Sequence, residues 1–275
     1  ADADVGEQLR SLSEPTRRLV TTLALLRDGR MQSLRVGTGL EPDVFEPSLD
    51  EATDAGLLEE DGARIEFADG HTRRAVVRTL PTRRRQRMHA DIARRLLAAD
   101  QDDPLAVTEI AAQMDRAGPQ GDPEVLARAA RTAGDEALAL GMWNDAIASC
   151  QAAWDASVAV AERAKLSADH HDFHSLTWLV EMRFELGQRK AADAALATFA
   201  NAVKQGLGHD QRSQYALQVA SYMMRTGEWS RVDELLAPLA TPASGAPAQP
   251  GGHCGHGSLS ALSEDQAVLV TRARA

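Results

Sequence analysis

Leu9, Leu12, Leu19, Leu23 and Leu26 recur at helical spacing, and Asp28-Gly29 stops the run. Pro15 stands at the start of this helix, where its missing N–H costs nothing. A short apolar stretch follows over 34–40. A third helix is predicted over 43–55, closed by Gly56. Next comes Leu57-Leu58-Glu59-Glu60-Asp61-Gly62-Ala63-Arg64-Ile65-Glu66-Phe67, in which Asp-Gly separates two short apolar runs, a strong hairpin signal. Residues 73–100 read as helix, and Pro81 divides them into a short piece and a longer one. On the longer one, Met88, Ile92, Leu96 and Ala99 share one face and Arg83, Arg87 and Arg94 another.

From about residue 104 every clear period is helical, and three stretches align as internal repeats. They are Leu138-Ala139-Leu140-Gly141-Met142-Trp143-Asn144-Asp145-Ala146, Phe184-Glu185-Leu186-Gly187-Gln188-Arg189-Lys190-Ala191-Ala192 and Met224-Arg225-Thr226-Gly227-Glu228-Trp229-Ser230-Arg231-Val232. Each has a large apolar residue three before the glycine and a small or β-branched one five after it. Cys150, Leu196 and Leu236 then share a later position. The pattern predicts turns between antiparallel helices. Gly141, Gly187 and Gly227 would take the left-handed conformation, and the small residue would let the second helix approach the first. The spacing suits tetratricopeptide-like hairpins. Residues 241–258 are mostly Pro, Gly, Ala and Ser and cannot bury enough apolar surface to order themselves; 259–270 reads as one weak helix. The expected fold is therefore mostly α. Three helices and a hairpin make a winged-helix-like unit over 1–100, helical repeats forming an α-solenoid occupy 101–240, and a flexible tail covers 241–275.

Composition sharpens this picture. With 44% hydrophobic but only 4% aromatic residues, the core must be built largely from Ala and Leu, which favours close-packed helices. No stretch of about 18 apolar residues suits a membrane span, and the N-terminus lacks the apolar core of a signal peptide. Two distant cysteines, Cys150 and Cys254, exclude a disulfide scaffold and suit a reducing cytoplasm. The net charge of −10 argues against a general nucleic-acid coat.

Phe67-Ala68-Asp69-Gly70-His71-Thr72-Arg73-Arg74-Ala75-Val76-Val77 resembles the Phe-x-His-Pro-Leu-x-Arg-x-Ala-Val-Tyr segment of large ATP-binding LuxR-type (STAND-class) transcriptional regulators. Phe67, Arg73, Ala75 and Val76 match, whereas Asp69, Gly70 and Val77 depart from the usual His, Pro and Tyr. Leu80-Pro81, Arg84, the stretch Met88-His89-Ala90-Asp91-Ile92-Ala93 and the line Ile110-Ala111-Ala112-Gln113-Met114-Asp115-Arg116-Ala117-Gly118 continue the likeness, which covers residues 9–240. Scarce lysine (Lys165, Lys190 and Lys204) suggests a GC-rich genome and suits the actinobacterial members. In that family a P-loop ATPase module precedes the winged helix and a helix-turn-helix follows the repeats. This chain has no G-x-x-x-x-G-K-[ST], and 259–275 does not read as a helix-turn-helix. The resemblance thus implies the middle of such a regulator: a cytoplasmic, non-enzymatic signal-receiving and protein-interaction region. Its partners would be an effector on the repeats and the flanking ATPase module. ATP is implied only for that module, and no cofactor, direct DNA contact or membrane contact for this chain. The alternatives are a free-standing adaptor with tetratricopeptide-like repeats, or a winged-helix DNA-binding protein.

Three further features carry candidate chemistry. Arg73, Arg74, Arg78, Arg83, Arg84, Arg85, Arg87, Arg94 and Arg95 stand against the single acid Asp91. Such a cluster suits a nucleic-acid footprint, an intramolecular dock centred on Arg83, Arg84, Arg87 and Arg94, or a solvated face pairing with Glu59, Glu60 and Asp61. Asp169-His170-His171-Asp172-Phe173-His174 contains metal-capable groups, yet four ligands from one short stretch rarely reach tetrahedral geometry, and an exposed inter-helix segment is the simpler reading. His253-Cys254-Gly255-His256 is weaker still. Trp143 and Trp229 occupy equivalent repeat positions, suited to packing between repeats or to anchoring a partner. No nucleophile–base arrangement has motif context.

Overall fold

Ser13 divides the first leucine series in two. In the computed structural model, which describes residues 2–27, 29–99, 103–166, 171–205, 209–227 and 231–232, helix α1 spans Asp2–Ser11 and α2 spans Glu14–Leu25. The expected single helix breaks because the Ser13 side chain caps α2, accepting from the Thr16 amide, and Pro15 fits the first turn. Glu51, from the helix α4 at Pro42–Asp54, accepts from the Ser13 amide (2.8 Å), the Ser13 hydroxyl (2.6 Å) and the Thr16 hydroxyl. These donors, the Ser13 hydroxyl foremost, hold the Glu51 carboxyl below its ordinary range. A depressed folded-state pKa stabilises the fold above the unfolded value, and that contribution is lost as pH falls through the folded value. Glu51→Gln is expected to weaken the acid limb of the stability profile, measured as urea midpoints from neutral pH downward.

Helix α3 spans Met31–Thr38 and ends at Gly39, φ 58°. After α4, Gly56 (φ 68°) closes the turn, with the Leu57 amide donating to Ala52 O and the Gly56 amide to Thr53 O. Strands β1 (Leu58–Asp61) and β2 (Arg64–Phe67) form the expected antiparallel hairpin, Asp61 opposite Arg64. Gly62 and Ala63 are the turn residues, and Gly62 alone takes a positive φ, 60°. A third extended segment pairs with β2. Arg30 bridges Arg64, the Ile65 amide donates to Gly29 O (2.7 Å), and the Met31 amide donates to Ala63 O (3.0 Å). This pairing lies between α2 and α3, where the sequence shows only a stop signal.

Asp69 caps α5 (Gly70–Thr79), and α6 (Thr82–Ala99) begins after Pro81. Then follow α7 (Pro104–Ala117), a 3-10 turn (Gly118–Gln120), α8 (Pro123–Ala139), α9 (Trp143–Ala164), α10 (Phe173–Glu185), α11 (Arg189–Gln205) and α12 (His209–Thr226). Among the described residues the fold is mostly α-helical, with one antiparallel hairpin and the bridge at Arg30. Among the described residues no helix is long and apolar enough to cross a membrane.

The chain forms two compact units, Ala1–Ala156 and Ser157–Ala275. The change of sequence character near residue 100 is crossed by packing, because α7 lies on α6 and α8 on α7. Leu19, Leu26, Leu34, Phe45, Leu49, Ile65 and Ile92 fill the first core, with alanines such as Ala129, Ala130 and Ala133 joining it from α8. In the second unit Phe173 packs edge-on to Phe199 (6.1 Å between centroids) and stacked on Tyr215 (5.9 Å). The tail at 241–275 lies outside the described residues.

Candidate functional site

The arginine cluster separates into members bonded to distant helix ends and members left to solvent. Arg73 is exposed over much of its surface, yet its guanidinium donates to Ala24 O (3.2 Å) and to Leu26 O at the end of α2. Arg95 does the same for α3, donating to Gly37 O (2.9 Å). Both satisfy carbonyls that a helix C-terminus leaves open. Arg83, Arg84, Arg87 and Arg94 point to solvent along α6, and Arg94 pairs with Asp91 at 2.6 Å. The expected pairing with Glu59, Glu60 and Asp61 does not form, for those acids have no ion pair among the described residues. They are exposed on the hairpin, as Asp43, Glu46, Asp50 and Asp54 are on α4. An open hollow of about 370 Å³ lies between α3 and the hairpin turn, lined by Arg30, Arg35 and Arg64. Arg30 is already paired with Asp103 (3.0 Å) and Arg35 with Glu46 (2.7 Å), so little positive charge is left for an anion there.

The three repeat glycines all have positive φ: 70° at Gly141, 66° at Gly187 and 82° at Gly227. At the first, the Met142 amide donates to Ala137 O and the Gly141 amide to Leu138 O. At the second, Gln188 donates to Arg183 O and Gly187 to Phe184 O. These paired bonds close the ends of α8 and α10 and reverse the chain into α9 and α11. The residues five positions on, Ala146, Ala192 and Val232, are buried in every case. Cys150 is buried and Leu196 half-buried, while Leu236 lies outside the described residues.

The first turn also presents apolar surface. Leu140 is 70% exposed, Met142 47% and Trp143 45%. Packing between repeats would bury Trp143, and it does not, because the ring sits in the first turn of α9 beside the reversal. Trp229 lies outside the described residues. Behind the turn, α8 and α9 approach so closely that a Cβ on Gly134 would stand 2.9 Å from Cys150 Sγ.

Of the histidine-rich stretch, Asp169 and His170 lie outside the described residues. Asp172 caps α10, accepting from the Ser175 amide (3.2 Å) and hydroxyl (2.7 Å). His171 stacks on Phe173 (6.2 Å), and His174 meets Trp178 edge-on (6.3 Å). Among the described residues no group of His, Cys, Asp or Glu is arranged to hold a metal. His253, Cys254 and His256 lie outside them.

A buried polar network joins α2, α6 and α7, and the sequence pattern does not single it out. Gln113 Nε2 donates to Glu109 Oε1 (2.6 Å) and to Leu25 O (2.9 Å), and His89 Nδ1 lies 2.5 Å from Gln113 Oε1. The Glu109 carboxylate also accepts from the Arg27 amide at 3.1 and 3.2 Å. The i, i+4 spacing of Glu109 and Gln113 was the available signal, but such a pair on a helix ordinarily faces water. Neither a protein-family model nor any curated protein matches this chain.

Proposed function

We propose that this chain is the signal-receiving and protein-interaction region of a LuxR-type, ATP-dependent transcriptional regulator, with a winged-helix unit followed by tetratricopeptide-like hairpins. The observation that carries the interaction reading is the exposed Leu140, Met142 and Trp143 around Gly141. Clustered apolar surface of this kind, with an aromatic anchor, suits a protein contact or an effector. The extended segment between α2 and α3, paired with β2, supports the winged-helix reading, since it supplies the strand that such a unit carries between its first two helices. α4 would then occupy the place that DNA-reading members present to the groove. Here it exposes Asp43, Glu46, Asp50 and Asp54 and has no basic residue, which repels phosphate. The arginine face of Arg83, Arg84, Arg87 and Arg94 is better suited to docking an acidic surface of the flanking ATPase module. That module would bind ATP, and the region would work in the cytoplasm without a catalytic step of its own.

The reading frame around this segment tests the proposal against a free-standing adaptor. A phosphate-binding G-x-x-x-x-G-K-[ST] upstream and a helix-turn-helix downstream are expected. A frame closed on both sides would favour the adaptor. Calorimetry should detect no ATP binding by the chain alone, and a gel shift surviving competitor DNA would instead favour the winged-helix DNA-binding reading.

A further inference from the structure

We propose that His89 is an acid-sensitive latch: its neutral ring is buried where α7 packs on α6, and a second proton placed on that buried ring favours release of α7 although the Nδ1–H bond to Gln113 itself survives protonation. The inference stands independently of the function proposed above.

Hydrogen bonding dictates the protonation state. Both N–H groups of the Gln113 amide are committed, one to Leu25 O and one to Glu109 Oε1. The reverse orientation of the amide would set an oxygen against two acceptors. Gln113 Oε1 must therefore accept, so His89 Nδ1 carries the proton and donates. The neutral ring then has a bare Nε2, and acid can add a proton only there.

The site is hostile to the cation that results. His89 is 5% exposed and Gln113 fully buried. The charged groups acting on the ring are Arg85, one turn back on α6, and Arg116 of α7. The other charged neighbour from α7, Glu109, is reached through Gln113 and is already engaged by the Arg27 amide. α2 offers the Leu25 carbonyl, committed to Gln113. The charge on α3 is Arg35, paired with Glu46, and the 3-10 turn packed on α6 has no charged residue. Burial first, then the two arginines, push the ionisation of His89 below the ordinary imidazole value, against the opposing pull of the Gln113 hydrogen bond.

A lowered folded-state pKa means that the released form binds more protons. The latch is at full strength above the unfolded value and weakens as pH falls through it toward the folded value. α7 leads directly into the 3-10 turn and α8, so its release loosens the α8–α9 turn from the N-terminal helices. The pH-sensing group is thereby coupled to the exposed apolar turn.

Amide hydrogen exchange on the full chain tests the latch, with rates corrected for the intrinsic pH dependence. Exchange in α7 is expected to accelerate between about pH 7.5 and pH 5.5, by up to about tenfold and by more than in α4. His89→Asn places an amide N–H where Nδ1 stands and cannot take a second proton, so it should remove the acceleration. His89→Gln places its amide at the Nε2 position and should leave α7 fast at both pH values. Arg116→Gln removes one of the repelling charges, narrows the gap between the folded and released values and should make the acid acceleration of α7 smaller. A pH-independent α7 in the parent chain, or an unchanged acid response in His89→Asn, would overturn the proposal. Should His89→Asn not fold, an imidazole NMR titration decides. Midpoints for His89 at or above the exposed histidines, unmoved by Arg116→Gln, would also overturn it.

Discussion

Gly29→Ala is expected to destabilise the first unit by about 3 kcal/mol, a large effect for one methyl group. The added Cβ would overlap the Ile65 carbonyl oxygen and lie 2.9 Å from the Ile65 carbonyl carbon. Both are backbone atoms, so no side-chain rotation relieves the clash. The backbone of Ile65 cannot retreat either. Its amide donates to Gly29 O, it is paired with Glu60 across the hairpin, and its side chain is buried in the core. Accommodating alanine therefore means losing the strand pairing between 29–31 and β2, and with it the seat of the hairpin on α3. The measurement is urea unfolding, with a lowered midpoint expected at unchanged slope. Gly6→Ala, in α1 with nothing within 4 Å of the new Cβ, is the control and should be neutral or slightly stabilising. A Gly29→Ala variant as stable as that control would contradict the close approach.

Gln113→Leu is expected to cost about 3 kcal/mol although it exchanges one buried side chain for another of similar size. Leucine removes the donor to Leu25 O, the donor to Glu109 and the acceptor for His89 at once. The Leu25 carbonyl and the His89 Nδ1–H are left buried and unsatisfied, and Glu109 loses one of its donors while keeping the Arg27 amide, so most of the desolvation cost is uncompensated. The test is a double-mutant cycle with His89→Leu. Removing the imidazole as well removes one of the orphaned groups, so the double variant should cost clearly less than the sum of the singles. Additive costs would mean that His89 and Gln113 do not act as a unit.

Many turns and element ends in both units were legible because their signals are local. The hairpin follows from Asp61-Gly62 between apolar runs, and the break at Pro81 from a ring that disfavours helix before it. The end of α4 follows from Gly56, and the turns at Gly141 and Gly187 from glycine's freedom at positive φ. The missed break at Ser13 has a physical source. The leucine series keeps helical spacing across it, and periodicity alone does not reveal that a serine side chain caps a new helix there. In the sequence the arginines between 73 and 95 form one cluster. Arg73 and Arg95 instead close the ends of α2 and α3, far away in sequence, and the acids expected to neutralise the rest stay solvated on the hairpin.

Where the chain turns and which faces of its helices are apolar are legible from the residues alone, since both depend on residues within a few positions of one another. Packing alone settles what Gly29 is for, which arginines bond to distant helix ends, that Trp143 stands half in solvent and that His89, Gln113 and Glu109 meet. Each of these depends on a neighbour brought in from a distant part of the chain. Gly29 faces Ile65, Arg73 meets the end of α2, and Gln113 meets Leu25 and His89. A polar side chain in a helix has the same local propensity whether it faces water or a buried partner, so its role is settled only when the helices pack.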